Sequence, residues 1–163
     1  MEGEAFFDVR KGTAFTINTK LADIKILGTS FNLVSRDNSF KVSCITGKIQ
    51  ISLGSHSLTI TPGESATLSN NELLKYSDKN IKRIPNWRIG EFYFEDSPLN
   101  LVFKEIERQF NVNFVVAKMD EKFFTGSFTN KNLVNALDIV CIPMELTYEI
   151  GGNSKIFIRE KPQ

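Results

Sequence analysis

The chain has 163 residues and a mass of 18.5 kDa, enough for one ordinary domain or two small ones. Hydrophobic residues make up 41% of it and fourteen phenylalanines supply enough apolar area for a packed core, which excludes disorder as its main state. Twenty basic residues nearly cancel nineteen acidic ones, and a net charge of +1 creates no long-range field that would attract nucleic acid or an anionic membrane surface.

Residues 4–77 are predicted to form short strands separated by turns. Apolar and polar residues alternate in several short runs, at 15–17, 24–26, 49–51 and 58–60. Dipeptides suited to tight turns lie between the runs, including Asp37-Asn38, Pro62-Gly63 and Asn70-Asn71. We therefore predict an all-β module over residues 1–78. The spacing fits a sandwich, a barrel or a solenoid-like stack equally well.

Residues 79–90 are predicted to be a linker. This stretch carries a proline and four basic residues and has no repeating apolar face; the basic residues are Lys79, Lys82, Arg83 and Arg88. Charges on a solvated connector explain such a run without a binding role.

Residues 91–163 follow a different pattern, in which strands alternate with helices. Ser97 and Pro98 are predicted to start the first helix, with the serine hydroxyl accepting a hydrogen bond from an early amide, and Asn130 is predicted to cap the second. The predicted elements are strand 92–94, helix 98–110, strand 112–116, strand 124–128, a helix over 133–140, and strand 146–150.

The two strand-helix-strand units align without a gap at an offset of 34 residues. Core positions coincide, for example Phe103 with Leu137 and Phe114 with Tyr148. We therefore expect a small α+β module made of two strand-helix-strand repeats, with two helices on one sheet. A hairpin turning at Gly151-Gly152 would close it with a last strand over residues 155–159.

Few residues offer chemistry. His56, the single histidine, lies in a predicted surface turn, and the carboxylate pairs Glu95-Asp96 and Asp120-Glu121 lie at element boundaries, where they suit helix ends. Neither zinc spacing nor a phosphate-binding glycine loop is present, so we expect no enzyme activity, no metal site and no cofactor. Cys44 and Cys141 lie in apolar stretches of different modules and are expected to be free, buried thiols.

Several motifs together resemble the FecR family. They are GEAFFDV at 3–9, LGTSFNL at 27–33, TGKI at 46–49 and PGESA at 62–66. The second half continues the resemblance with WRIG at 87–90, SPL at 97–99 and FTGSF at 124–128, which are similar to the C-terminal domain of FecR-like proteins from Bacteroidetes-type bacteria. The resemblance implies a twisted, solenoid-like β module followed by a module like the short N-terminal domain of secretins and TonB-dependent receptors.

The resemblance also implies a function. FecR-like proteins are single-pass inner-membrane sensors that control an extracytoplasmic-function sigma factor and receive a signal in the periplasm from a TonB-dependent outer-membrane transporter. This chain would be the soluble periplasmic region, and the sigma factor would be reached only through a cytoplasmic region outside it. No apolar run approaches the roughly 20 residues of a membrane helix, so the anchor is also expected outside the chain.

Docking by strand addition is expected, because an unpaired sheet edge offers backbone hydrogen bonds to an incoming strand. The last predicted strand is the candidate edge, with Lys155, Ile156, Phe157, Ile158 and Arg159 as partner-binding residues. The alternative function is a glycan-binding or structural assembly module of the cell envelope.

Overall fold

The computed structural model describes residues 1–12, 14–117 and 120–161. It divides into two compact units, Met1–Pro85 and Asn86–Gln163, each with its own apolar core. The chain is mostly β, with its helical part toward the C-terminus, which confirms the predicted fold class. In the part of the chain that the structure describes, no helix is both long and apolar enough to cross a membrane.

The N-terminal unit is built from antiparallel strands. Within its described residues these are β1 (Gly3–Asp8), β2 (Ala14–Asn18), β3 (Asp23–Leu27), β4 (Ser30–Arg36), β5 (Ser39–Cys44), β6 (Ile49–Leu53), β7 (His56–Ile60), β8 (Glu64–Ser69) and β9 (Glu72–Ser77). They form one sheet with the order β1-β4-β5-β8-β9 and a second with the order β2-β3-β6-β7.

One core lies between these two sheets. Ile24 and Ile51 from one sheet and Phe31 and Val42 from the other are fully buried in it. From β2 onward the chain makes a hairpin in one sheet and then crosses to the other, so consecutive strand pairs alternate between the two layers. The arrangement is a sandwich in cross-section that is built up along the chain by successive hairpins.

Two of the predicted turns show why the hairpins close tightly. Asp37 and Asn38 have φ values of 51° and 60°, and Asn70 and Asn71 have 48° and 62°. Positive φ at both central residues is what a two-residue type I′ hairpin requires, and Asn and Asp tolerate it better than other residues with a side chain. These side chains therefore set the registers of β4 with β5 and of β8 with β9.

The LGTSFN stretch at 27–32 has a structural role. Gly28 has a φ of 65°, and a Cβ at this position would collide with the Cα of Lys11. The buried Thr29 donates its hydroxyl to the carbonyl of Lys48 at 3.1 Å, and Phe31 enters the core. The motif therefore joins three segments of the N-terminal unit.

The C-terminal unit combines helices and strands. A 3-10 helix, Ile84–Ile89, leads into it, and its further described elements are β10 (Glu91–Pro98), α1 (Leu99–Phe110), β11 (Asn113–Val116), β12 (Phe123–Thr129), α2 (Leu133–Cys141), β13 (Leu146–Ile150) and β14 (Lys155–Glu160). Apolar residues of α1, α2 and the strands share one core; among them Val102, Ile106, Leu137 and Ile156 are completely buried.

The expectation of one sheet in this unit is wrong, because the strands form two. The first strands of the two repeats, β10 and β12, pair with each other. On this two-stranded sheet the rings of Phe92 and Phe128 stack, with their centroids 5.2 Å apart. The second strands, β11 and β13, both pair with β14. Each repeat therefore contributes one strand to each sheet, and neither repeat forms a sheet by itself.

Both predicted helix caps are also corrected. The Ser97 hydroxyl donates to the carbonyl of Glu95 at 3.1 Å, because β10 continues through Pro98 and the helix begins only after it. In α2 the capping side chain is Asn132, which accepts from the N–H of Asn135 at 3.0 Å. Asn130, two residues earlier, is too far along the chain to reach those amides.

The two cysteines are free and buried, as predicted. Burial raises the pKa of the Cys44 thiol to about 11 and that of Cys141 to about 12, because the apolar core disfavours the thiolate. Both side chains therefore act as small apolar groups of the two cores.

Replacing Gly28 with alanine should destabilise the N-terminal unit by about 3 kcal/mol, because the new Cβ would strain the backbone and collide with Lys11. Gly54→Ala is the matched control, since Gly54 also has positive φ but nothing lies within 4 Å of its would-be Cβ, and it should cost about 1 kcal/mol. Urea unfolding of the two variants measures the difference. Equal losses would contradict the close contact at Gly28.

Candidate functional site

The expectation that the last strand is an unpaired edge is wrong. β14 is the central strand of its sheet, parallel to β11 from Asn113↔Lys155 to Val116↔Ile158, and antiparallel to β13 over most of its length. Ile156 and Ile158 are 0% and 1% exposed. Strand addition at the predicted set is therefore blocked; that set is Lys155, Ile156, Phe157, Ile158 and Arg159. The second neighbour of β14 is β11, which comes from a distant part of the chain. Local sequence patterns cannot reveal such a pairing.

The side chains considered for catalysis lie in ordinary surface positions. His56 is exposed at the start of β7, and Glu95 and Asp96 lie at the bulge of β10, where Asp96 has a φ of 44°. Asp120 and Glu121 are exposed ahead of β12. Within residues 1–12, 14–117 and 120–161, no group of three or more His, Cys, Asp or Glu side chains is placed to hold a metal ion.

A groove of about 530 Å³ opens between α1 and β11 in the C-terminal unit. Its apolar wall contains the rings of Phe103 and Phe114, stacked with centroids 4.6 Å apart. Leu101 and Val116 line it as well, and each exposes more than two fifths of its surface to solvent. The charged lining residues are Lys104, Glu107, Asp120, Glu121 and Lys122. The groove thus has an apolar interior and a mixed charged rim, as protein-docking surfaces do.

The outer edge of β11 borders this groove. The N–H groups of Asn113 and Ala117 donate toward β14 at 2.8 and 3.1 Å. Because backbone groups of alternate residues point to opposite sides of a strand, Phe114 and Val116 direct their N–H and C=O groups away from β14. β11 is thus an edge strand, and among the described residues no further strand pairs with its outward side.

Glu107 occupies one of these outward groups. The Phe114 N–H donates to Glu107 Oε1 at 2.7 Å, a short bond to a charged acceptor. The end of α1 makes this contact possible: Asn111 adopts a left-handed conformation, with φ 53° and ψ 47°, and its N–H donates to the Glu107 carbonyl. The chain then turns back, and β11 runs beside the last turns of the helix.

The second repeat differs at the equivalent place. At the offset of 34, Phe114 corresponds to Tyr148 and Lys104 corresponds to Asp138. The Tyr148 hydroxyl donates to Asp138 Oδ1 at 2.7 Å, which ties β13 to α2, and this bond raises the pKa of Tyr148 to about 12. Glu107 corresponds to the buried Cys141. The α2–β13 side is thus held together by a hydrogen bond where the α1–β11 side has a groove.

Sequence reasoning missed both Glu107 and the edge at β11. The repeat alignment does contain a signal, since it places a charged residue of the first copy against a buried cysteine of the second. It does not show that the carboxylate contacts a backbone amide, because that contact depends on where the chain turns after α1.

Comparison with known proteins covers both units. Residues 1–50 match the family described as FecR protein, and residues 91–158 match FecR, C-terminal. Two crystal structures of a candidate anti-sigma factor from Parabacteroides distasonis ATCC 8503, at 1.65 and 2.50 Å resolution, are similar to this chain. For each, the TM-score is 0.88 and the identity 28%, over 99% of this chain and 79% or 78% of that chain. No curated protein matches the sequence.

The bond between Tyr148 and Asp138 can be tested through stability. Tyr148→Phe should destabilise the protein by about 1.5 kcal/mol at neutral pH, the lower end of the range for a hydrogen bond to a charged group, because the pair is only partly buried. A raised folded-state pKa means that this stabilisation is complete below the ordinary tyrosine pKa of about 10 and is lost as the pH rises from there toward about 12.

Urea unfolding of the wild type, Tyr148→Phe, Asp138→Ala and the double variant gives the coupling between the two side chains. A coupling near zero, or a Tyr148→Phe deficit that persists unchanged to high pH, would contradict the assigned bond.

Proposed function

Because this chain belongs to the FecR family of anti-sigma factors, we propose that it is the signal-receiving region of a membrane-anchored sensor. In this proposal it lies in the periplasm and couples a TonB-dependent outer-membrane transporter to an extracytoplasmic-function sigma factor. Its partner is the periplasmic signalling domain of that transporter. The role is regulatory and depends on protein binding; it involves no catalysed reaction.

The observation that carries the proposal is the groove between α1 and β11. It combines exposed apolar side chains, a mixed charged rim and the outer edge of a sheet, and these features suit a protein partner. The second repeat has its equivalent strand and helix tied by Tyr148 and Asp138, so the two copies have diverged on this face. We therefore assign signal reception to the C-terminal unit.

The sigma factor is contacted elsewhere in this scheme. Docking of the transporter's domain on residues 1–163 changes the sensor's state, and a cytoplasmic region outside this chain transmits the change to the sigma factor. The energetic requirement is that the transporter's domain binds one state of the sensor better than the other, since only differential affinity shifts such an equilibrium.

Calorimetric titration of the chain with the purified signalling domain of the transporter encoded beside it tests the proposal. We expect saturable one-to-one binding. If both proteins are folded and no heat of binding is seen up to high micromolar concentration, the proposed partner is wrong, and a glycan or a different envelope protein takes its place.

Leu101→Glu should weaken this binding at least about tenfold, because it places a charge on the apolar wall of the groove. Val134→Glu is the matched control: Val134 is a similarly exposed apolar residue, at 47% against 43% for Leu101, but it lies on α2. The same titration measures both variants. An equal loss in both, or a loss only in Val134→Glu, would exclude the α1–β11 groove as the docking site.

A further inference from the structure

We propose that the outer edge of β11 pairs with an extended strand of the partner protein, and that Glu107 guards this edge until the partner displaces it. The inference rests on the proposed function, since it specifies how the α1–β11 groove would receive its partner. In this proposal, docking has to break the hydrogen bond between Glu107 and the Phe114 N–H.

The Glu107 carboxylate stands where a neighbouring strand would place a carbonyl oxygen. Its Oε1 accepts from the outward N–H of Phe114 at 2.7 Å, within the ordinary range for a backbone bond in a sheet. An added strand needs that same N–H for its own carbonyl. The two interactions exclude each other, so the incoming strand must replace Glu107.

The guard covers only part of the edge. Val116, two residues along β11, also directs its N–H and C=O groups away from β14, and its side chain lies 42% exposed at the groove. An incoming strand can therefore pair first at Val116 and then displace Glu107 from Phe114. Charged side chains at a sheet edge are a common protection against unwanted sheet extension, and here the charge is supplied by α1.

The groove determines what kind of strand fits. Phe114 and Val116 lie on the α1 side of β11, where both line the groove with Leu101. Side chains at alternate positions of an added strand point to the same face. The partner segment is thus expected to be an extended stretch of about four residues, the length of β11, with apolar side chains at alternate positions that enter the groove.

The other edge of the same sheet is a poorer match for such a strand. There the side chain of Tyr148 on β13 is bonded to Asp138 on α2 and packs against the core. An apolar side chain arriving beside β13 would meet this hydrogen-bonded pair, which it could not replace without leaving a polar group unpaired. β11 is therefore the edge to which we assign the partner strand.

Hydrogen exchange in the free protein tests the guard without any partner. In Glu107→Ala, the Phe114 amide should exchange about tenfold faster than in the wild type, because it loses a charged acceptor. The neighbouring amides of Asn113 and Ala117, which bond toward β14, should be unchanged. Glu121→Ala removes another groove carboxylate and should change none of these three exchange rates. Unaltered exchange at Phe114 in a folded Glu107→Ala variant would overturn the guard.

Titration with the transporter's signalling domain then tests the docking. Glu107→Ala should bind about tenfold more tightly than the wild type, because no side chain has to be displaced. Glu107→Gln should lie between them, since its amide oxygen still accepts but carries no charge. Glu121→Ala should bind like the wild type.

The possible failures are distinguishable. If the wild type does not bind the signalling domain, the proposed function fails, whatever the exchange rates show. If the wild type binds but Glu107→Ala binds equally well or more weakly, the proposed function stands and strand pairing at β11 is overturned. Concentration-dependent dimerisation of Glu107→Ala, without a gain in partner affinity, would overturn it in favour of a second copy of this chain as the occupant.

Discussion

The organisation of the C-terminal unit depends on the pairing of β14 along both of its sides. Ile156 and Ile158 of this strand are buried in the core, while its backbone joins β11 from the first repeat to β13 from the second. Without β14, neither β11 nor β13 has a paired neighbour in this three-stranded sheet. Because β14 takes the central place, the free edges of this sheet pass to β11 and β13, and this decides where a partner strand could be added.

The two copies of the strand-helix-strand repeat solve the same packing problem with different side chains. In the second copy, the hydroxyl of Tyr148 and the carboxylate of Asp138 link strand and helix directly. In the first copy, Phe114 has no hydroxyl and stacks on Phe103, and Glu107 bonds the strand's backbone instead. One copy is therefore fixed by a side-chain pair, while the other keeps a groove and an edge protected by a single carboxylate.

This difference connects the fold to the family's regulatory role. In the proposed function, a sensor region must hold a stable framework and also expose a surface whose contacts can change when a partner binds. The N-terminal unit supplies framework of this kind: its LGTSFN motif serves packing and turn geometry, as the contact of Gly28 with Lys11 shows. In the same proposal, the groove beside β11 supplies the changeable contact.

The alternation of apolar residues predicts β2, β3, β6 and β7, and the turn dipeptides predict the hairpin turns at Asp37-Asn38 and Asn70-Asn71, because both features act within a few residues of chain. The apolar face of α1 and the gapless alignment of the two units at an offset of 34 residues predict the repeat, because both are properties of the sequence pattern alone. The edge at β11 could not be predicted, since it depends on β11 crossing to pair with β14, about forty residues later in the sequence. Asn130 and Asn132 show the same limit on a small scale: both are of a residue type that suits a helix N-cap, but α2 starts at Leu133 and only Asn132 caps it.

The most direct measurement of the central claim is amide hydrogen exchange of the chain when it is bound to the transporter's signalling domain, compared with the free chain. We predict that the Val116 amide gains protection, that the Phe114 amide remains protected as it exchanges Glu107 for a backbone carbonyl, and that the outward amides of β13 do not change. Protection gained along β13 or β10, with Val116 unaffected, would contradict docking at β11.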